Sequence, residues 1–266
     1  MKAQHGGFAT AKKHFGQHFL KEPAIAQRIA ESLTHHGGYR RVLEVGPGTG
    51  ALTQHLLQLT DIDLRCVEVD HAAADQLRAA LPAVEGKLIM GDFLRLDLGA
   101  LGEGPFAVIG NFPYNISTQI VFKVLEHRNA CTEVVGMFQK EVADRLCAGP
   151  GSKTYGITSV LAQAFYRLEH LFNVEPGSFI PPPKVRSAVI RMQRNDVVQL
   201  PCDERLFFSV VKAAFGQRRK TLHNALKAHG GFTHGVPERF ARLRAEQLGV
   251  EEFLELTKAA TPTVGA

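Results

Sequence analysis

The chain has 266 residues and a net charge of +5; 45% of the residues are hydrophobic and 21% are charged. These proportions exclude a disordered chain, a collagen-like repeat and a long coiled coil. No run of about 18 uncharged apolar residues occurs, so we expect no transmembrane helix and no membrane partner. The basic N-terminal segment also lacks the apolar stretch of a secretory signal. Isolated cysteines and scattered histidines predict reduced thiols, a cytoplasmic protein and no metal site, and the composition gives no reason to expect more than a monomer.

The charges are distributed unevenly along the chain. Residues 1–41 hold seven Lys or Arg against two Asp or Glu, and residues 205–244 hold nine against one. The stretch between them, 42–204, is acidic, with fourteen basic residues against nineteen acidic ones. Two basic segments around an acidic middle predict polyanion binding at the ends of the chain and a different ligand in the middle.

Strand and helix patterns alternate through the first two thirds of the chain. A lead-in helix is predicted over 22–33, with Pro23 in its first turn. Short apolar runs predict buried strands at 42–45, 64–69, 87–90, 106–109 and 134–138. Helical spacing of apolar residues separates them at 52–59, 72–81, 118–125 and 140–147. This alternation predicts βαβ units in a mostly parallel sheet with helices on both faces.

The pattern changes toward the C-terminus. Two further strand candidates, 168–174 and 188–192, predict an antiparallel hairpin that ends the sheet. Beyond residue 194 only helical patterns remain, at 207–215, 220–228, 237–243 and 251–258. We therefore predict three segments: an α/β domain over 1–194 (in which 1–41 form a basic arm and the lead-in helix), a linker over 195–202, and a small all-α domain over 203–266.

The first predicted strand runs into a glycine loop that is typical of nucleotide binding. Gly46 and Gly48 allow a ligand to approach the backbone closely, and Glu68 follows at the spacing of an acid that binds ribose hydroxyls. A dinucleotide and S-adenosylmethionine both fit this pattern. Glu44, just before the loop, favours S-adenosylmethionine, because its methionyl end carries an ammonium group whereas a pyrophosphate would be repelled. Asp92, after the third strand, is a candidate acceptor for an adenine amino group, although it could equally cap a helix.

An Asn-Phe-Pro-Tyr sequence follows the fourth predicted strand, at the sheet edge where ligands of α/β folds bind. The side-chain carbonyl of Asn111 and a backbone carbonyl near Phe112 can accept hydrogen bonds from an amino group on an aromatic ring. Pro113 makes the loop rigid, and Tyr114 can stack on the base. These groups would align an amine for in-line displacement at a methyl group and have no use in nicotinamide chemistry. The same residues also predict an ordinary proline turn whose Asn115 or Ser117 caps the next helix.

Together these motifs resemble the ribosomal RNA adenine dimethylase family, which includes the KsgA-type (RsmA) small-subunit enzymes and the Erm resistance methyltransferases. The resemblance extends over almost the whole chain, in the segments 13–20, 43–50, 67–70, 91–92, 110–117, 139–142, 155–156, 179–185 and 215–222. It implies a Rossmann-like methyltransferase domain that uses S-adenosylmethionine. It also implies dimethylation of the 6-amino groups of two adjacent adenines near the 3′ end of small-subunit (16S) rRNA during ribosome biogenesis.

Carried over position by position, the resemblance implies a cofactor site formed by His18, Leu20, Gly46, Gly48, Glu68, Asp92 and Asn111. The family often has Asn where this chain has His18, and Leu where it has Phe112. The catalytic residues implied are Asn111, Phe112, Pro113, Tyr114 and Phe179. Phe179 precedes three prolines, and its ring could either face the target adenine opposite Tyr114 or pack beneath the loop.

The basic segments are expected to bind rRNA phosphates without reading sequence. The candidate residues are Lys12, Lys13, Arg218, Arg219, Lys220 and Lys227. Two alternative functions remain: an Erm-like methyltransferase of large-subunit rRNA, and an assembly or transcription factor that only binds nucleic acid. The motif at 215–222 favours the small ribosomal subunit as the partner, and the intact catalytic motifs argue against a pure binding role.

Overall fold

A computed structural model describes residues 18–261 of the chain. Its contacts divide these residues into two compact units. The first contains 18–143 and 169–194, and the second contains 144–168 and 195–261. This differs from the contiguous division expected from sequence, because 144–168 belongs to the second unit. The predicted arm residues 1–17 lie outside the described residues.

The described residues form nine strands and ten α-helices. The strands are β1 (Phe19–Leu20), β2 (Arg41–Val45), β3 (Asp63–Glu68), β4 (Leu88–Met90), β5 (Phe106–Asn111), β6 (Cys131–Gln139), β7 (Tyr166–Val174), β8 (Phe179–Ile180) and β9 (Ser187–Arg194). The helices are α1 (Pro23–Ala30), α2 (Thr53–Leu56), α3 (His71–Ala80), α4 (Ser117–Glu126), α5 (Lys140–Cys147), α6 (Ile157–Gln163), α7 (Glu204–Gly216), α8 (Leu222–Ala225), α9 (Glu238–Ala241) and α10 (Val250–Lys258).

Seven strands form one sheet in the order β4-β3-β2-β5-β6-β9-β7. The first five of these are parallel, so their carboxyl ends meet at one edge. Strand β9 runs antiparallel to β6, and its first residue, Ser187, pairs with the last residue of β6, Gln139. The end of β5 lies at the same level, because Asn111 pairs with Met137. One sheet edge therefore brings together the ends of β5 and β6 and the start of β9.

A buried carboxylate ties the sheet to the segment between α1 and β2. Glu133, in β6, is fully buried. It accepts hydrogen bonds from the backbone N–H of Thr34 at 2.9 Å, the hydroxyl of Thr34 at 2.6 Å and the hydroxyl of Tyr39 at 2.5 Å. Gln193 of β9 donates a further one at 3.3 Å. This network provides hydrogen-bond partners for a carboxyl group that would otherwise be costly to bury. Burial of the phenol, followed by its hydrogen bond to Glu133, raises the pKa of Tyr39.

The second unit is built around α7. Asp203 caps this helix by accepting a hydrogen bond from the backbone N–H of Leu206 at 2.7 Å. Its apolar face is buried, and α6 and α10 pack against it. Helix α6 packs against both α7 and α10 and buries residues 159–162, so the segment 144–168 belongs with these helices and not with the sheet. No helix among the described residues is long and apolar enough to cross a membrane.

Candidate cofactor and substrate site

A cavity of about 220 Å³ opens in the first unit. Its walls come from segments that follow the carboxyl ends of β2, β3, β4 and β5, together with residues of β1. The lining residues fall within 18–20, 44–52, 67–69, 91–94 and 111–116, with Ile29 in addition. All seven residues predicted to contact the cofactor line this cavity, as do Phe112, Pro113 and Tyr114.

The glycine loop takes a backbone conformation that side chains disfavour. Gly46 has φ of 68° and Gly48 has φ of 54°, both in the left-handed region. A Cβ atom at Gly48 would also lie 3.0 Å from the ring of Phe19. The loop therefore presents bare backbone to the cavity, as a ligand that approaches the backbone closely requires.

Glu68 ends β3 with its carboxylate fixed at the cavity wall. It is 4% exposed. Its Oε1 accepts hydrogen bonds from the backbone N–H groups of Val69 and Asp70, both at 2.9 Å, and its Oε2 accepts one from Gly48 at 3.2 Å. Burial raises the pKa of Glu68, and the three N–H donors oppose that effect. The remaining lone pairs of this carboxylate suit the two hydroxyls of a ribose.

Two further acids lie at the cavity. Glu44 is 2% exposed and accepts a hydrogen bond from the thiol of Cys66 at 3.5 Å. Burial raises the pKa of Glu44 to about 7. Asp92 accepts the backbone N–H of Leu94 with Oδ1 at 2.9 Å, and its Oδ2 lies 3.7 Å from the guanidinium of Arg95. Because the turn-capping bond uses only Oδ1, the predicted contact with an adenine amino group would fall to Oδ2.

The side chain of Asn111 is oriented by the N-terminal segment. Its Nδ2 donates a hydrogen bond of 2.9 Å to the backbone carbonyl of His18. The amide nitrogen is thereby engaged, and Oδ1 is the acceptor that remains for a ligand amino group. The imidazole of His18 donates from Nδ1 to the carbonyl of Pro181 at 2.8 Å. The family resemblance implied that His18 contacts the cofactor, but no sequence motif indicated that the backbone carbonyl of His18 orients Asn111.

The two aromatic residues of the motif have different environments. The ring of Phe112 is 1% exposed and packs edge-on against Phe138, 5.1 Å between centroids, so only its backbone is available to a ligand. Tyr114 is half-buried, and its ring centroid lies 5.3 Å from that of His18. Its hydroxyl shares a hydrogen bond of 2.5 Å with the hydroxyl of Ser187. Burial raises the pKa of Tyr114, which keeps the phenol protonated.

Two expectations about this region need correction. Neither Asn115 nor Ser117 caps α4: the residue before the helix is Ile116, and the Ser117 hydroxyl bonds back to the carbonyl of Tyr114 at 3.2 Å. The ring of Phe179 does not face the cavity. Strand β8 pairs with β1, and this places Phe179, 1% exposed, in the apolar core. Of the two placements that the sequence left open, a packed and buried ring is the one observed, so the catalytic role implied for Phe179 is not carried into the mechanism.

The predicted phosphate-binding residues differ in how free their charges are. Lys12 and Lys13 lie outside the described residues. Arg218 is partly buried and donates a hydrogen bond of 3.1 Å to the carbonyl of Ser152. Arg219, Lys220 and Lys227 are exposed. The exposed three are therefore better placed to meet a phosphate than Arg218.

The comparisons of this chain with protein-family models and with known proteins all match one protein family. The family model described as ribosomal RNA adenine dimethylase matches residues 8–260. A relative from Cytophaga hutchinsonii, named ribosomal RNA small subunit methyltransferase A, is 54% identical over 247 residues, covering 93% of this chain and 96% of the relative. A relative of the same name from Flavobacterium johnsoniae is 52% identical over 249 residues, covering 93% and 95%.

Solved structures give the same result for the fold. A dimethyladenosine transferase from Plasmodium falciparum matches with a TM-score of 0.74 and 25% identity, over 90% of this chain and 96% of that one. The 23S rRNA methyltransferase ErmE matches with a TM-score of 0.69 and 24% identity, over 91% and 99%. These matches confirm the predicted fold class: a Rossmann-like methyltransferase domain with a helical C-terminal part.

Proposed function

The chain belongs to the ribosomal RNA adenine dimethylase family and is an S-adenosylmethionine-dependent methyltransferase of rRNA, and on that premise we propose its substrate and the roles of its residues. Its substrate is the small ribosomal subunit, in which it dimethylates the 6-amino groups of two adjacent adenines near the 3′ end of 16S rRNA. It acts in the cytoplasm as a monomer.

The observation that carries the proposal is the convergence of three different groups on one cavity. Glu68 offers a fixed carboxylate for a ribose, Asn111 offers an oriented carbonyl oxygen, and Tyr114 offers an aromatic face. The bare backbone of the loop at Gly46 and Gly48 gives a nucleoside room to approach. A cofactor that contains adenosine and a target that is an amino-substituted base need this combination.

The reaction needs alignment more than proton transfer. The residues that line the cavity would hold S-adenosylmethionine, which would supply an electrophilic methyl group to the amino nitrogen and keep the electron pair of the broken carbon–sulfur bond on its sulfur. Asn111 holds the 6-amino group with Oδ1, and Tyr114 fixes the plane of the base. Because the nitrogen loses its proton to water after the attack, the chain needs no strong general base. The raised pKa of Tyr114 agrees with a stacking role and not a basic one.

Exposed cations in the second unit contribute binding free energy to the rRNA. This binding free energy offsets the cost of extruding the target adenine from its stack. That extrusion costs a few kcal/mol. We assign phosphate contacts to Arg219, Lys220 and Lys227, with Lys12 and Lys13 at the other end of the chain. Such contacts give affinity that falls with salt and carries no sequence information.

The experiment that tests the function is methyl transfer from labelled S-adenosylmethionine to undermethylated small ribosomal subunits. Mature small subunits and large-subunit RNA are the controls, and digested nucleosides are identified by mass. We expect dimethyladenosine in the undermethylated small subunits alone. Label in large-subunit RNA would overturn the substrate assignment.

A variant separates catalysis from binding. Asn111→Ala removes the oriented acceptor, and we expect its turnover to fall roughly a hundredfold or more, as when a positioned transition-state contact is lost. Its binding to small subunits, measured by co-sedimentation, should remain. A variant that keeps wild-type turnover would remove Asn111 from the mechanism.

A further inference from the structure

Two residues contact the side chain of Tyr114, and no sequence motif predicted either contact. Its hydroxyl shares the 2.5 Å hydrogen bond with Ser187, and the ring of His18 lies 5.3 Å away, tilted by 31°. Ser187 is fully buried, whereas Tyr114 is half-buried and lines the cavity. Among the described residues, the hydrogen bond to the phenol of Tyr114 is the side-chain contact that connects Ser187 to the cavity.

Ser187 is itself fixed by the sheet. It is the first residue of β9 and pairs with Gln139, and the pairing continues without interruption to Glu133 and Gln193. Just before it, the carbonyl of Arg186 accepts the backbone N–H of Lys140 at 2.9 Å. A loop residue, Tyr114, is thus anchored through its outermost atom to a rigid point of the sheet.

We propose that Ser187 is a positioning residue of the methyl transfer: through its hydrogen bond to Tyr114 it fixes the plane on which the adenine stacks, and it controls the second methyl transfer more strongly than the first. This inference rests on the proposed function, because it concerns the same cavity and the same adenine. Ser187 touches neither the base nor the cofactor.

The two transfers differ in how the acceptor nitrogen is held. An unmodified 6-amino group has two N–H donors, one for Asn111 Oδ1 and one for a backbone carbonyl of the loop. A monomethylated nitrogen keeps only one N–H, so hydrogen bonding constrains it less. The stacking plane must then supply more of the alignment, and any freedom of the Tyr114 ring slows the second step more than the first.

The test is a single-turnover time course on undermethylated small subunits, in which monomethyladenosine and dimethyladenosine are both quantified by mass. One intramolecular hydrogen bond is worth roughly a 2- to 10-fold change in an equilibrium or rate. For Ser187→Ala we expect the first transfer to slow by about twofold and the second by about tenfold, so that monomethyladenosine accumulates. The KM for S-adenosylmethionine should stay at the wild-type value.

Three further variants and one control variant locate the effect in one hydrogen bond. Tyr114→Phe breaks the same bond from the cavity side and should give the same product ratio; it also keeps the proposal testable if Ser187→Ala does not fold. The double variant should be no worse than either single variant. Ser187→Thr keeps the hydroxyl and should restore dimethylation. Ser178→Ala, on the segment that leads into β8, is the matched control and should leave the ratio unchanged, because Ser178 bonds Lys21 through its backbone carbonyl.

The outcomes separate this proposal from the proposed function. If Ser187→Ala slows both transfers equally, or if its effect adds to that of Tyr114→Phe, Ser187 is only a structural residue and the proposal is overturned while the function stands. If the wild-type enzyme makes no dimethyladenosine on small subunits, both are overturned.

Discussion

Replacing Glu44 by glutamine tests how a carboxyl group buried beside the cavity affects stability. Glu44 is 2% exposed, and burial, with a smaller contribution from Glu68, raises its pKa from 4.5 to about 7. Between these values the folded protein holds a proton that the unfolded chain releases. The stability that this proton contributes is fully present below about pH 4.5 and is lost as the pH rises through about 7. At about 1.4 kcal/mol per pH unit, the interval corresponds to about 3 kcal/mol.

Glutamine has no proton to lose, so the stability difference between the wild type and Glu44→Gln should depend on pH. We expect the free energy of unfolding of the wild type, relative to the variant, to fall by about 3 kcal/mol between about pH 4.5 and about pH 7.5, and to level off above that. Urea unfolding followed by far-ultraviolet circular dichroism measures it, since the chain has no tryptophan. Glu126→Gln, at an exposed position of α4, is the matched control. A difference that stays constant with pH would refute the reasoning.

Three other substitutions test separate features. Gly48→Ala forces a side chain into φ of 54° and against Phe19; we expect a loss of about 1–2 kcal/mol of stability and weaker cofactor binding by calorimetry. Tyr39→Phe removes one of the hydrogen bonds to the buried Glu133; unfolding should become easier by about 1–2 kcal/mol, with unchanged turnover per folded molecule. Arg219→Ala removes an exposed cation; the slope of log affinity against log salt should flatten by about one.

Each of the three has an outcome that contradicts it. Gly48→Ala with wild-type stability would mean that the loop relaxes easily. Tyr39→Phe with lower turnover would connect the network around Glu133 to the active site. Arg219→Ala with an unchanged salt slope would remove that residue from the phosphate contacts.

The parallel sheet and the cavity follow closely from local patterns. The first apolar run, expected over 42–45, is β2 (Arg41–Val45), and the helix expected over 72–81 is α3 (His71–Ala80). In a parallel sheet every loop after a strand leads to the same edge. Once the strands were identified, the glycine loop, Glu68 and Asn111 were therefore expected to meet, and they all line one cavity.

Local patterns were less informative about helix lengths in the C-terminal unit. The helix expected over 220–228 is only α8 (Leu222–Ala225), and the one expected over 237–243 is α9 (Glu238–Ala241). Apolar spacing marks which residues face a core, but tertiary packing decides how many turns of helix persist. For the same reason, local patterns did not indicate that α6 belongs to this unit.

By itself the sequence determined the fold class, and the spacing of its motifs predicted that Gly46, Gly48, Glu68 and Asn111 follow the ends of parallel strands at one edge of the sheet. The family resemblance, and not spacing, added His18 and Leu20 to the residues expected at the cavity. Only the tertiary structure decided which partners hold those residues. Pairing of β1 with β8 placed the ring of Phe179 in the core, and pairing of β6 with β9 brought Ser187 to Tyr114. These contacts join residues far apart in the chain, so no local pattern carries them; they exist only once the sheet has assembled in one register.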